Sequence, residues 1–557
     1  MEFRSRRNAA LITAALVAAA ATAGCGGKDG GSGDGAAAGS PKLTVLTPPA
    51  QGEVDRVTWA LATGEPTTLD PARTGDFSSA NVVSNVCEGL MQVQPDFSLK
   101  PNLAEKVDQR DPTTLVLDIR PGVVFWDGAK LTADDVVYSL KRHTDPKVQG
   151  IAASAFLSVA SIKKTGPLQV TIRFRQPDSA FLPALAGIAG VVNQKAFTEK
   201  AGKAYGTPGG GVMCTGPFEL AKWQPGESVT ITANERYWNA ELKPKVKTLQ
   251  FRFIADSSTL TSALLAGEVD GAYNAPVGSV SALQKSDKGT LYLGPSTASV
   301  SFGPTRDSGP AADPRVREAL DLAIDKRAFV KNVLRGAGEP LKTLTPPFVY
   351  AGSPAKAIYQ QGYDALADNA EPDLDRAKQL IAEAKPGKQP LTIVIPSGDQ
   401  LSLQVATILQ AAGKSLGLTM KIKQLQPTEF SAFFYDPSKR AGTDFVATTG
   451  YIETPSVLNY APLFVRPADR GGLFNWSGYA NPVAEKELMA AQTEIDPAKS
   501  AEHFVKAQAA FAPDRLQVSL AVSYERLFLS KKLTGVPASI AYITSPWAAR
   551  LGAADQP

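Results

Sequence analysis

Residues 391–422 read LTIVIPSGDQLSLQVATILQAAGKSLGLTMKI, a strand–helix–strand pattern. Leu391–Ile395 is an apolar run of strand length, and Leu403–Leu416 repeats apolar residues at helical spacing. Gly417 ends that helix before a second apolar run at Leu418–Ile422. A helix between two such strands predicts parallel strand pairing with a right-handed crossover. The chain is therefore predicted to be an α/β protein.

The same patterns continue on both sides of this unit. Further strands are predicted at Val57–Leu61, Thr114–Ile119, Val170–Phe174, Ser228–Ala233 and Gln517–Val522, and further helices after Thr132, from Asp313, over Asp373–Ala384 and over Asp496–Phe511. The helix after Thr132 carries a capping box, with Asp135 as its acid. A length of 557 residues predicts two to four domains, so the α/β pattern extends over more than one lobe.

The composition excludes several classes of function. Hydrophobic residues make up 43% and charged residues 20%, which describes a folded protein. The net charge is +4 and no block of Lys or Arg occurs, so no nucleic-acid partner is expected. Two histidines and three cysteines disfavour zinc, iron–sulfur and thiol chemistry. His143 and His503 are expected to be solvated, so we predict no catalytic residues, no metal ligands, no cofactor and no enzymatic activity.

The N-terminus is predicted to be an export signal. Met1–Asn8 is basic, and Ala9–Ala23 is an apolar run of 15 residues, shorter than the roughly 20 that span a bilayer. Small residues before Cys25 resemble a bacterial lipobox, which makes Cys25 the expected lipid attachment site; the alternative is a plain secretory signal. Residues 1–24 are thus a predicted lipoprotein signal peptide, and the glycine-rich residues 25–53 a flexible tether.

Export also bears on the two remaining cysteines. Cys87 and Cys214 lie 127 residues apart, and two thiols outside the cytosol are expected to form a disulfide. Two separate buried thiols are the alternative.

Aromatic residues in polar, glycine-rich loops are the main candidates for ligand contacts. They are Phe77, Trp126, Tyr451, Trp476 and Tyr479, with Asn475 beside them as a polar anchor. Loop aromatics with a few polar neighbours suit a mainly apolar ligand pocket. The alternative for each is that it packs its loop onto the core.

Several motifs, in order, resemble the bacterial extracellular solute-binding proteins of family 5, the peptide/nickel class of ABC importers. The longest is Leu115–Arg142 (LVLDIRPGVVFWDGAKLTADDVVYSLKR); the others are EPTTLDPA from Glu65, VCEGL from Val86, CTGPF from Cys214, NERYW from Asn234, LLAGEVD from Leu264 and DPRVREALDLAIDK from Asp313. Together they extend the resemblance from about Val57 to Leu551.

The resemblance implies a two-lobed periplasmic-binding-protein-like fold of type II that closes on a ligand about a hinge. The implied limits are 54–293 for lobe 1, including an extra subdomain at about 80–205, 294–515 for lobe 2, and 516–557 for a return to lobe 1. The implied function is to capture a solute between the lobes and deliver it to an ABC permease. The protein would be a monomer, lipid-anchored outside the cell membrane and touching the membrane through that anchor alone.

The ligand is implied to be an oligopeptide or a peptide-like solute. Peptide-binding members carry Trp-x-x-Asp-Tyr, and its aspartate pairs with the peptide α-amino group; the matching positions here are Thr448, Tyr451 and Ile452. Glu453 is the candidate substitute, although its side chain would point elsewhere from an extended segment. A non-peptide solute, such as a sugar or a metal chelate, stays open, as do a surface sensor or adhesion lipoprotein on the same fold and a secreted hydrolase.

Overall fold

The computed structural model describes residues 41–555, apart from the side chains at positions 427, 428, 431 and 435. The predicted signal peptide and Cys25 lie outside these residues. The main strands form two large sheets. The seven-stranded sheet runs in the order Phe218–Gln224, Ser228–Ala233, Val246–Phe253, Val54–Leu61, Gly271–Ala272, Glu525–Ser530 and Gly289–Gly294. The six-stranded sheet runs in the order Gly338–Pro340, Val518–Ser523, Ser299–Pro304, Phe445–Gly450, Leu391–Pro396 and Met420–Leu425.

Helices cover both sheets and fill the segments between strands. Those of at least seven residues are Phe77–Val86, Ala133–Arg142, Lys195–Ala201, Ser257–Ala266, Pro314–Leu322, Lys326–Asn332, Lys356–Asp364, Leu374–Ala384, Gln400–Ser415, Pro427–Tyr435, Pro482–Thr493 and Pro497–Phe511. Among residues 41–555, no helix combines the length and apolar character needed to cross a membrane.

The predicted strand–helix–strand unit is confirmed. Leu391–Pro396 pairs in parallel with Met420–Leu425, and the helix Gln400–Ser415 connects them. This helix starts three residues earlier than the apolar spacing predicts, because the Asp399 carboxylate accepts the Leu401 N–H (3.0 Å) and so caps it.

The two sheets define two lobes, each with its own hydrophobic core. The first lobe also holds an antiparallel sheet of Ala104–Asp111, Thr114–Ile119, Gln169–Phe174 and Val159–Gly166, within the segment expected to be an extra subdomain. The chain passes to the six-stranded sheet between Gly294 and Ser299. It returns between Ser523 and Glu525, later than the expected Arg515, because Val518–Ser523 still pairs with Ser299–Pro304.

Two further expectations need correction. Part of the predicted tether packs against the folded protein and is not flexible. Thr47 is 1% exposed, and both its backbone N–H and its hydroxyl donate to the Val536 carbonyl (each 2.9 Å). His143 is not solvated: it is 3% exposed and stacks on Phe156, and burial lowers its pKa to about 4.

A buried ion-pair network stabilises the core of the second lobe. The Asp321 carboxylate is fully buried, and it lies 2.7 Å from the Lys326 ammonium and 2.7 Å from the Arg515 guanidinium. Asn369 Nδ2 donates to the same carboxylate (2.6 Å). The two cations stabilise the charge that burial disfavours, and the Asp321 pKa stays below its usual value.

Candidate ligand-binding cleft

A cavity of about 980 Å³ lies between the two lobes. The first lobe contributes residues from the segments 74–77, 151–158 and 175–189, and the second lobe contributes residues from 446–454 and 458–476 and from the helix Pro427–Tyr435. This volume is at the upper end of the roughly 300–1,000 Å³ typical of pockets for drug-sized ligands.

Contacts between the lobes close one side of the cavity. Phe77 begins the helix Phe77–Val86, which Asp76 caps by accepting the Ser79 N–H (2.8 Å). Its ring lies 4.4 Å, centroid to centroid, from the ring of Tyr451, which follows the strand Phe445–Gly450. Both residues, which the sequence predicts to contact the ligand, line the cavity.

Glu453 makes a second contact between the lobes. The Ile188 backbone N–H, in the first lobe, donates to Oε1 of Glu453. Gly187 permits this approach, since a Cβ at that position would lie 2.7 Å from the same oxygen. Because the strand ends at Gly450, the alternation expected of an extended segment does not apply, and Glu453 lines the cavity. Thr297 Oγ1 fixes this loop by donating to the Ile452 carbonyl (2.8 Å).

The environment of Glu453 disfavours its charged form. Burial raises its pKa to about 7, and the single hydrogen bond from Ile188 offsets only part of that effect. Within residues 41–555 no cation lies within 4 Å of its carboxylate. A half-buried carboxylate without a counter-ion, at the edge of a cavity, is suited to receive a positively charged group.

Four aromatic rings from the second lobe line another part of the cavity. We call Phe430, Phe434, Phe474 and Trp476 the aromatic wall. The Trp476 ring lies 5.6 Å from Phe434 and 5.9 Å from Phe474, centroid to centroid.

Trp476 is held in one orientation by its neighbours. Its indole N–H donates to the Leu473 carbonyl (2.9 Å), and the Arg440 guanidinium lies 4.4 Å from the ring centroid. Arg440 is itself fixed, because Nη1 donates to the Phe433 carbonyl (3.1 Å). Trp476 therefore presents a pre-positioned aromatic surface.

The other cavity carboxylates have partners within their own lobes. Asp76 accepts hydrogen bonds from Ser79 and Thr67, Asp399 from Leu401 and Ser402, and Asp178 from Ser158 and Ala180. Burial nevertheless raises the pKa of Asp178, although the positive charge of Arg466 acts in the opposite direction.

The cavity arginines are likewise engaged within their own lobes. Arg466 donates to the Gln492 side chain, Arg175 donates to the Leu157 carbonyl (2.8 Å), and Arg470 pairs with Glu485 (2.5 Å).

Three predicted ligand contacts do not line the cavity. Trp126 is 6% exposed in the first-lobe core, and its indole N–H donates to the Gly216 carbonyl (3.4 Å). Asn475 Nδ2 donates to the carbonyls of Arg466 (2.9 Å) and Tyr479 (2.8 Å), so this residue shapes its loop. The Tyr479 hydroxyl donates to Asp514 (3.0 Å). Each residue satisfies its polar atoms inside the fold, which is the alternative considered for loop aromatics.

Among the cavity-lining residues, sequence analysis missed Phe430, Phe434, Asp178 and Arg466. The run Phe430-Ser-Ala-Phe-Phe-Tyr435, three residues after Pro427, is a signal that could have identified the helix and its two cavity-facing rings. Asp178 and Arg466 lie 288 residues apart and have no shared sequence signal.

The structure joins Cys87 and Cys214 by a disulfide. Next to it the Glu88 carboxylate is buried and accepts hydrogen bonds from the Tyr237 hydroxyl (2.8 Å) and the Trp238 indole (3.0 Å). Within the described part of the chain, no group of three or more His, Cys, Asp or Glu side chains is placed to hold a metal ion.

Comparison with known proteins identifies the family. The family model for bacterial extracellular solute-binding proteins, family 5, matches residues 98–472, about two thirds of the chain. The glutathione-binding protein GsiB of Escherichia coli K12 is 27% identical over 473 residues, which cover 84% of this chain and 89% of GsiB.

Solved structures show the same fold. The oligopeptide-binding protein AppA of Bacillus subtilis, in complex with a nonapeptide, superposes with a TM-score of 0.77 at 19% identity, covering 91% of this chain and all of AppA. NikA of Staphylococcus aureus, in complex with Ni(L-His)2, superposes with a TM-score of 0.72 at 16% identity, covering 88% of this chain and 98% of NikA. The two-lobed periplasmic-binding-protein-like fold is thereby confirmed, and the chain belongs to the bacterial extracellular solute-binding proteins of family 5.

Proposed function

We propose that this protein is the solute-capturing component of an ABC importer, that it binds a peptide or peptide-like solute between its lobes, and that it delivers the solute to a membrane permease. The observation that carries the proposal is the cavity of about 980 Å³ between the lobes, with Glu453 at one side and the aromatic wall at another. One relative is a glutathione-binding protein, and similar solved structures hold a nonapeptide and Ni(L-His)2, which supports a peptide or peptide-like solute.

Glu453 is proposed to receive the positively charged amino group of the solute. A hydrogen-bonded pair between an ammonium and a carboxylate contributes about 1.5–3 kcal/mol net. The aspartate that serves this purpose in peptide-binding members is replaced here by Tyr451, whose ring packs against that of Phe77. Phe77, Tyr451 and Trp476 are proposed as further ligand contacts because all three line the cavity.

The remaining proposals rest on the sequence and on the family. The protein is proposed to act by binding alone, without catalysis, as a monomer outside the cytoplasm. Lipid attachment at Cys25 is proposed from the small residues that precede it and the glycine-rich residues that follow. Substituting Cys25→Ser is expected to release the protein from the membrane fraction, whereas retention would contradict the anchor.

Native mass spectrometry of the exported protein, purified without a denaturing step, tests the ligand class. A co-purifying mass that fragments into amino acids supports a peptide, and a sugar or an intact metal chelate would overturn the peptide assignment. Deleting the gene and measuring uptake of the same solute tests the transport role. Unchanged uptake would favour a surface sensor or adhesion lipoprotein.

A further inference from the structure

Charged side chains make up a small part of the cavity lining. Of the seven charged residues that line it, Asp76, Asp178, Asp399, Arg175, Arg466 and Arg470 each have partners in their own lobe. Glu453 has one backbone donor and, among residues 41–555, no counter-ion. Arg175 and Arg466 donate to neutral groups and can also meet a solute carboxylate, so charged contacts are few and most other contacts come from less polar parts of the lining.

The aromatic wall is fixed by packing against buried residues of the second lobe. Phe433, which is fully buried, lies behind it, with its ring 5.9 Å from Trp476 and 6.1 Å from Phe434. Val394, Leu425 and Val446 complete this small core. The wall rings are thus packed on one side against protein, while they line the cavity on the other. Covering that second side is favourable in proportion to the apolar area removed from water.

The first-lobe part of the same cavity combines short and larger apolar side chains. It carries short apolar side chains at Ala152, Ala155 and Ala184. A cavity of about 980 Å³ has room for a planar ring, and the aromatic wall offers a surface on which such a ring can pack.

We propose that the aromatic wall is a specificity subsite for a large apolar side chain of the solute, preferably an aromatic one. The inference rests on the proposed binding of a peptide-like solute and adds which solutes are selected. The protein would then discriminate among peptides of equal length by the presence of an aromatic side chain. Glutathione, which has no such side chain, would bind more weakly than an aromatic tripeptide.

Isothermal titration calorimetry with five probes tests the proposal. The probes are Ala-Ala-Ala, Phe-Ala-Ala, Ala-Phe-Ala, Ala-Ala-Phe and glutathione, titrated into ligand-stripped protein at pH 7. At least one phenylalanine peptide is expected to bind tenfold or more tightly than both Ala-Ala-Ala and glutathione. Equal affinities for all five would overturn the subsite and leave the proposed function standing. Absence of binding by every probe would overturn both.

Variants locate the preference at the wall. Phe434→Leu keeps an apolar side chain but removes the ring, and it is expected to reduce the preference for the phenylalanine peptide to about threefold or less. The matched control is Trp223→Phe on the seven-stranded sheet, whose indole donates to Glu65 (2.8 Å) and which does not line the cavity. A preference that survives both Phe434→Leu and Trp476→Leu would refute the assignment of the subsite to this wall.

Discussion

Closure of the ligand-free protein is predicted to depend on pH through Glu453. The Glu453 carboxylate meets the first lobe only when the lobes are together, and there burial raises its pKa from the ordinary 4.5 to about 7. When the lobes separate, water solvates the carboxylate and the pKa returns towards its ordinary value. Raising the pH through this range therefore favours the open form, because the open form binds fewer protons.

The size of the effect follows from the two pKa values. With 7 for the closed form and 4.5 for the open form, proton linkage shifts the closure equilibrium by at most about 70-fold between pH 5 and pH 8. This corresponds to roughly 2.5 kcal/mol, an upper value because cavity water reduces the penalty on the charge. The stabilisation of the closed form is full below pH 4.5 and is lost as the pH rises through about 7.

Small-angle X-ray scattering of ligand-stripped protein measures this shift. The radius of gyration of the wild type is expected to increase between pH 5 and pH 8 at constant ionic strength. Glu453→Gln, which cannot ionise but can still accept the Ile188 N–H, is expected to have the same radius at both values. Glu268→Gln, an exposed residue outside the cavity lining, is the control and should follow the wild type.

A pH-independent wild type would refute the reasoning. An equal pH dependence in Glu453→Gln would place the titrating group elsewhere. The leading alternative is Glu525, where the chain returns to the first lobe, since burial raises its pKa to about 7 as well.

Three further predictions concern the fold. Replacing Cys87 and Cys214 by serine is expected to lower the free energy of unfolding in urea by about 3–5 kcal/mol, and a thiol assay of the denatured, unreduced wild type should find neither thiol free. Lys326→Met leaves the buried Asp321 carboxylate with one cation fewer and is expected to cost about 3–5 kcal/mol in the same measurement, so a cost below 1 kcal/mol would contradict the network. Trp126→Ala is expected to cost about 3–5 kcal/mol of stability and to leave tripeptide affinities unchanged, whereas weakened binding by the folded protein would restore it to the ligand site.

Local patterns were predictable because each is decided by residues that are close in sequence. The strand Thr114–Ile119 has the predicted bounds, and the helix after it has the predicted capping box: the backbone N–H and hydroxyl of Thr132 both donate to Asp135 Oδ2 (3.1 and 2.7 Å). The parallel pairing of Leu391–Pro396 followed from the helix that separates it from its partner strand.

The ligand-binding cleft was less predictable because its parts come from distant segments. Trp126 and Trp476 both lie in glycine-containing loops, yet one belongs to the first-lobe core and the other lines the cavity. Their tertiary surroundings differ. Trp126 packs near the disulfide-bonded Cys214, whereas Trp476 packs on the helix Pro427–Tyr435, some 40 residues earlier in sequence. Loop composition alone carries no information about either neighbour.

Glu453 also depends on a partner distant in sequence, the Ile188 N–H of the first lobe. Its charge in the closed form therefore affects which solutes bind well. Closing the cleft around an uncharged solute at neutral pH requires Glu453 to take up a proton or to hold an unpaired charge. A solute amine removes this requirement by supplying the counter-charge, and the ionised carboxylate then accepts the Ile188 N–H more strongly. Binding of an amine should therefore take up fewer protons than binding of a neutral solute such as a sugar. Calorimetry in two buffers with different ionisation enthalpies separates the two cases, and proton uptake near one per site for a bound peptide would exclude Glu453 as its amino-group partner.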